Sequence, residues 1–488
     1  MIWILLTVVL GVTALAAAVS FAIQRPAAGE VANIVAATVD LAAVVWLLGT
    51  VPARGETGLH NLVVLDPFAV WVMTCLAIVY LSSAVYARGY MRRRDLSPRR
   101  LSAFYGLFAV FALTMFLAPI QNNPGLYWIA IDLTTLVSAV LIGFERRHRA
   151  IEAAWKYLVI VSVGLSLALM GTVLFYFAGT FSRRNVYPMT WQSFSDIAPH
   201  ADPALLLIAF LLILVGYGTK VGLAPMHTWL PDAHSEGATP VSAMLSGALL
   251  NCAMLGIVRY LAVMHTTAVY PEAATALAIA GVASLAVAAL FITRQKGLKR
   301  LAAYSSIEHM GIIALGFAFG GPLGILGALY QMVNHSMTKS VVFFGAGNAI
   351  DAFASKNISG IRRVADRFPM MGGVWMASAI AITGAPPFGL FASELTIARA
   401  GIVGSNAWAV AVMAVMLVII FIGFLNHFRR MFFGPRHSER VEQNRLRLPM
   451  SSVAPMAVLS AAVLVLGIWW PHPLWIYLSH IATALRGA

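Results

Sequence analysis

The chain has 488 residues, of which 60% are hydrophobic and 11% charged, with a mean hydropathy of +0.83. Soluble domains average about 45–50% apolar and about 25% charged residues, so an assembly of soluble domains is excluded. The net charge of +14 would suggest nucleic acid in a soluble protein, but here the bias that gathers Lys and Arg in cytoplasmic loops has to be tested first.

Apolar windows of about 20 residues, the length that crosses a bilayer as helix, predict an all-α polytopic membrane protein with about fourteen spans. They lie near 2–23, 31–52, 64–87, 101–119, 125–144, 155–178, 203–235, 239–264, 273–293, 301–320, 322–350, 372–403, 408–428 and 451–470. The first lacks a basic leading region and reads as a span rather than a cleaved signal. Asp40, midway through the second, is a lone acid that reads as helix packing or an inter-subunit contact. Cys75 and Cys252 lie inside apolar runs with no CxxC, which argues against a disulfide framework and against iron–sulfur ligation by this chain.

The seventh and twelfth spans are too long and are interrupted, one by Gly222-Leu223-Ala224-Pro225 and the other by Gly384-Ala385-Pro386-Pro387. Proline breaks the helical ladder, and freed backbone at membrane depth is tolerated only inside protein or beside a water-filled cavity. Paired interrupted helices mark inverted repeats with ion sites near the midplane. The two lie five spans apart, an odd offset, so the copies run in opposite directions. The expected organisation is a three-helix segment (1–100), repeat one (101–264), repeat two (273–433), and a C-terminal helix with a short tail (451–488).

With the N-terminus outside, the odd-numbered connections hold 25 of the 33 Lys and Arg residues, ending in the group Arg429, Arg430, Arg436, Arg440, Arg445 and Arg447. The outer connections and C-terminus hold only Arg54, Arg183, Arg184 and Arg486. Missing a helix in the middle would invert every later loop and destroy this split. The basic excess is therefore largely orientation, with both termini outside a prokaryotic inner membrane, and no nucleic acid is needed to explain it.

Ionisable residues within spans are candidates for function by default. Asp132 lies a third of the way along the fifth span and Lys220 at the break of the seventh. An ammonium facing a carboxylate in a low-dielectric slab retains its proton, and releases it when the two separate. The pair reads as a proton switch, or else as a static ion pair that holds helices together. Gln331, His335 and Lys339 recur at i, i+4 and i+8 and so share one face of the eleventh span. Histidine accepts and donates protons near neutrality, which suits a relay, the other reading being a packed, hydrogen-bonded core. Ser305 and His309 repeat the spacing in the tenth span, beside Tyr304 and Glu308. Glu394 follows the second break and reads as a cation ligand or terminal proton carrier, or as a partner of Arg399. Asp232, His234 and Glu236 in LPDAHSEG read as a hydrated cytoplasmic mouth rather than a metal site. HExxH, GxGxxG and P-loop patterns are absent from the sequence, so zinc hydrolysis and nucleotide binding have no support.

GTKVGLAPMHTWLPDAHSEGATPVSAMLSG (218–247), KRLAAYSSIEHMGI (299–312) and LYQMVNHSMTKSVVFFGAGN (329–348) resemble the antiporter-like subunits of respiratory complex I, Mrp-type sodium/proton antiporters and group 4 hydrogenases. With GAPPFGLFASE (384–394), the set is most similar to component F of the hydrogenase-4 or formate hydrogenlyase type. The resemblance covers about 100–430. It implies that Asp132 stands where the family has a fifth-helix glutamate, Lys220 at the seventh-helix lysine, His335 and Lys339 in the central relay, and Glu394 at the terminal position. Asn251 stands where the eighth helix commonly supplies Lys or His; because Asn does not titrate, that link requires a bridging water or His309. Residues 471–488 suffice for a short interfacial segment but not for the long lateral helix of the largest complex I subunit.

The implied function is proton translocation through a Lys, His, carboxylate and water axis, within a larger redox complex. Its [NiFe] centre and iron–sulfur clusters are expected on a peripheral cytoplasmic arm, with other membrane subunits as partners and no cofactor or metal in this chain. In the expected cycle Lys220 passes its proton through water, His309 and His335 towards Lys339 and Glu394. An Mrp-type antiporter subunit with sodium at Glu394 or Asp132, and a non-conducting membrane anchor, remain as alternatives.

Overall fold

The computed structural model describes residues 1–183, 186–435 and 448–486. Arg184, Arg436, Arg440, Arg445 and Arg447, together with the Arg183 side chain, lie outside what it describes. Among the described residues twelve helices are long and apolar enough to cross a membrane. At the eleventh predicted position lies a 33-residue helix, Gly321–Phe353, and at the twelfth the broken pair Pro369–Ala381 and Gly389–Val403.

Several helices start where the sequence places an acceptor side chain before proline. Asp66, Ser97, Asn123 and Asp202 each accept a hydrogen bond from a free backbone N–H of the first turn, and a proline follows each of them. The side chain satisfies a donor that the helix cannot, and proline has no N–H to leave unsatisfied there.

Three elements lie outside the sequence expectation. A hairpin pairs Glu56–Gly58 with Val63–Leu65 after the second span. A short helix, Trp191–Ile197, covers the connection after the sixth, its Trp191 Nε1 donating to the Gln121 carbonyl at 2.9 Å. The tail forms a helix, His472–Ala484, whose Tyr477 hydroxyl donates to the Pro67 carbonyl at 2.9 Å.

The spans sort by polarity. The most apolar stretches of Thr239–Thr266 and Leu298–Phe319, the eighth and tenth spans, are 100% buried, whereas that of Ala407–Phe433, the thirteenth, is 28% buried. Helices that carry polar groups sit inside, and helices apolar all round face outward, as a lipid solvent requires. The packing order of spans four on five, five on six and six on seven recurs as nine on ten, ten on eleven and eleven on twelve. Each series ends in a broken helix. Spans six and seven approach closely because both present glycine: a Cβ on Gly171 would lie 2.7 Å from the Ala209 carbonyl oxygen.

Candidate functional site

At the first break, Pro203–Val221 ends on Gly222 at φ +80°, a left-handed conformation that only glycine adopts without strain. Proline frees backbone groups here, and side chains take them up. Trp229 Nε1 donates to the Thr219 carbonyl at 2.7 Å, and Ala224 N–H donates to Ser284 Oγ at 2.9 Å. Lys220 occupies the last helical turn, where the negative end of the helix dipole favours a cation.

Its ammonium is wholly buried and donates to Thr135 Oγ1 at 2.7 Å and to Tyr157 Oη at 2.6 Å. Since Tyr157 accepts from Lys220, its hydroxyl hydrogen is directed to Ser138 Oγ, 2.7 Å away, and Ser138 donates on to the Thr134 carbonyl at 2.5 Å. Asp132 sits one turn from Thr135 on the same helix, half-buried and within electrostatic reach of Lys220, but no ion pair joins the two among the described residues. The lysine is therefore held by hydroxyls, with its carboxylate partner apart.

At the second break the freed Ile382 carbonyl faces His309 Nε2 at 3.0 Å, and Gln331 Nε2 lies 3.0 Å from His309 Nδ1. A ring protonated on Nε2 satisfies both contacts, donating to the carbonyl and accepting from the amide. Gln331 Nε2 also donates to Glu394 Oε1 at 3.3 Å, and Gln331 Oε1 accepts from Ser393. Gly384, at φ +66°, leaves the space that the Glu394 carboxylate occupies. No ion pair joins Glu394 to Arg399 among the described residues; the carboxylate instead accepts from Gln331, with His309 Nδ1 3.8 Å from its Oε1.

Between the breaks, the His309 and His335 rings are 5.5 Å apart. Lys339 donates to the Ala302 carbonyl and to Ser305 Oγ, and Glu308 lies within electrostatic reach of both Lys339 and Glu394. Along this face Glu394 adjoins the Gln331 end and Lys339 lies at the opposite end. Asn251 Nδ2 donates to Ser336 Oγ at 2.9 Å, tying spans eight and eleven, and no direct hydrogen bond links Lys220 to His335 or Lys339 among the described residues.

Among the described residues, buried polar atoms without a hydrogen-bond partner include both ring nitrogens of His335, both oxygens of Glu308, and single oxygens of Asn251 and Thr338 along this row, and others elsewhere in the chain such as Ser83 Oγ and Trp375 Nε1. His234 departs from the hydrated mouth expected of LPDAHSEG. It is fully buried, its ring 5.1 Å from Phe343, while Asp232 and Glu236 form ion pairs at the surface. Asp40 is also fully buried, accepting from Thr13 Oγ1 at 2.7 Å, which makes it a link between the first two spans.

A family model described as NADH:quinone oxidoreductase/Mrp antiporter, transmembrane, matches residues 122–421. The chain belongs to this antiporter-like family. It is 36% identical over 376 residues to a hydrogenase-4 component F homolog of Methylacidiphilum infernorum, covering 76% of this chain and 79% of that protein. It is 28% identical over 421 residues to NADH-quinone oxidoreductase subunit N of Desulforudis audaxviator, covering 83% and 81%. Two solved structures share the fold at 20% identity and cover 99% of this chain and 97% of theirs. One is a chain of an archaeal membrane-bound sulfane sulfur reductase, with a TM-score of 0.88, and the other a chain of the Mrp complex of a Dietzia species, with a TM-score of 0.85.

In this antiporter-like chain the residues that sequence reading passed over are Thr135, Ser138 and Tyr157. Thr135 and Ser138 are spaced i and i+3 on the Asp132 helix, and that spacing was the available signal; Tyr157 gives none, being set by how the fifth, sixth and seventh spans pack. Among the described residues no three His, Cys, Asp or Glu side chains are grouped to hold a metal ion.

Proposed function

We propose that this chain is the proton-translocating membrane subunit of a multi-subunit redox complex of the membrane-bound [NiFe] hydrogenase or formate hydrogenlyase type. The observation that carries the reading is the run of buried ionisable groups from Lys220 through Lys339, His335 and His309 to Glu394, interleaved with unused polar atoms. A buried donor or acceptor left unmet costs about 1–3 kcal/mol, and water is what ordinarily meets it in a polar interior. A wet, titratable row across an apolar slab is a means of moving protons.

In the proposed cycle, approach of the Asp132 carboxylate holds the proton on Lys220, and its withdrawal releases that proton through water towards Lys339. His335, with both nitrogens available, passes it on. His309 and Gln331 position the Glu394 carboxylate, which delivers the proton to the outer side. Electron transfer takes place on partner subunits that carry the [NiFe] centre and iron–sulfur clusters, on a peripheral cytoplasmic arm. The excess of Lys and Arg on one side supports a prokaryotic inner-membrane orientation with both termini outside.

The test is Lys220→Ala in the intact complex reconstituted in vesicles. Acidification is expected to fall at least tenfold, while electron transfer measured with a protonophore present persists. Unchanged acidification would identify a non-conducting anchor. Sodium-dependent transport insensitive to protonophore would identify an antiporter subunit instead.

A further inference from the structure

On the basic face of the molecule a cavity of about 490 Å³ opens among the ends of spans six, seven and ten and the connections after spans nine and eleven. Seven cations and three acids line it. The acids are fully engaged by three of the cations. Asp232 pairs with Arg300 and Lys156, Glu152 with Lys156 at 2.5 Å, and Glu236 with Lys356 at 2.7 Å. Arg149, Arg294, Lys296 and Lys299 are left without a carboxylate at salt-bridge distance among the described residues. Lys299 is not a waving surface chain: it is 6% exposed and fixed by donating to the Gly237 carbonyl at 2.8 Å. Arg149, Arg294 and Lys296 thus converge on one concavity with no carboxylate partner, whereas a merely solvated basic loop would spread them apart.

Exposed apolar residues stand next in sequence to this lining. Trp155, one residue before Lys156 on the sixth span, is 62% exposed, and Leu290 and Phe291, three to four residues before Arg294 at the end of the ninth, are 69% and 47% exposed. Tryptophan near a helix end marks the membrane–water interface, which puts these ends of the sixth and ninth spans at headgroup level. A free anion would be drawn by the cations alone. An amphiphile with an anionic phosphate head and hydrocarbon tails satisfies both the charge and these apolar neighbours.

We propose that this cavity binds the phosphate headgroup of an anionic phospholipid from the adjoining leaflet. The site is separate from the buried row, and the proposal does not depend on proton transport. The intact complex would be purified in mild detergent, stripped of lipid, and titrated with phosphatidylglycerol, phosphatidylcholine or inorganic phosphate, with bound lipid read by native mass spectrometry.

The expected result is retention of phosphatidylglycerol and not phosphatidylcholine. Affinity should weaken at least tenfold in a combined Arg149→Gln, Arg294→Gln, Lys296→Gln variant. A control with equal charge loss elsewhere (Arg25→Gln, Arg99→Gln, Arg429→Gln) should bind as the parent does. Lys296→Gln alone, a milder change at an exposed position, should weaken binding several-fold, which keeps the test decisive if the triple variant fails to assemble. Unchanged binding in the cavity variants overturns the proposal. So does equal competition by inorganic phosphate, which would identify a free-anion site. Absence of lipid uptake by the parent complex, as when a partner's acidic segment fills the well, overturns it as well.

Discussion

An ammonium buried in an apolar slab has to be met by something, and Lys220 and Lys339 are met by neutral oxygen. Lys220 has two hydroxyls, and Lys339 has Ser305 and a carbonyl. Neither has a carboxylate at bonding distance, so the charge on each is conditional, and small movements of Asp132 or Glu308 can decide whether the proton stays. Tyr157→Phe removes one of the two Lys220 partners and the hydroxyl chain through Ser138. A hydrogen bond to a buried charged group is worth about 1.5–3 kcal/mol, so translocation by the variant complex is expected to slow about tenfold or more with assembly retained. A rate equal to the parent's would remove Tyr157 from the row. The two histidines should also differ. His309 has both nitrogens engaged, while His335 has neither engaged by protein. His335→Ala is therefore expected to abolish proton flux in reconstituted vesicles while the thermal transition of the complex stays within a few degrees. His309→Ala should lower that transition more, because it strands the Ile382 carbonyl and frees Gln331. Similar thermal losses in both would mean that the pair is a packed core and no relay.

At the scale of the element, the two breaks use glycine for different purposes. Gly222 ends a helix, whereas Gly384 makes room for a carboxylate from the following half-helix. Gly384→Ala incurs about 1–2 kcal/mol for the left-handed backbone and drives a methyl group into Glu394. Reduced thermal stability and reduced proton flux are expected together, whereas Gly373→Ala, whose Cβ would meet nothing within 4 Å, should change neither. These breaks were legible in the sequence because Gly–Pro pairs have one local meaning, and the helix starts were legible because Asp-Pro, Ser-Pro and Asn-Pro set caps by themselves. The partners of Lys220 were not: Tyr157 and Thr135 lie 63 and 85 residues away, and which residues meet across three helices is decided by packing that no local pattern encodes. His234 was misread for the same reason. Its neighbours Asp232 and Glu236 do reach the surface, but the helix turns the histidine inward against Phe343.

For the whole molecule, the proposed proton direction rests on one premise, that the basic side faces the cytoplasm, and the same premise decides which leaflet adjoins the basic cavity. The native cysteines make this directly measurable, because Cys75 and Cys252 are both 0% exposed and should stay silent to thiol reagents. Ala53→Cys would place a single exposed thiol in the connection after the second span, and Arg99→Cys would place one in the first turn of the fourth, on the side of the connection before it. Because one span separates the two connections, they must lie on opposite sides of the membrane. Ala53→Cys should react with a membrane-impermeant maleimide in intact spheroplasts, and Arg99→Cys only after the membrane is opened. The proposed orientation predicts this outcome, since it places 25 of 33 Lys and Arg residues on the side of Arg99 and translocating them against the membrane potential would cost about 2.3 kcal/mol per charge per 100 mV. The reverse labelling would leave the buried row intact but invert its direction, making Glu394 the entry point, and would move the basic cavity to the outer leaflet.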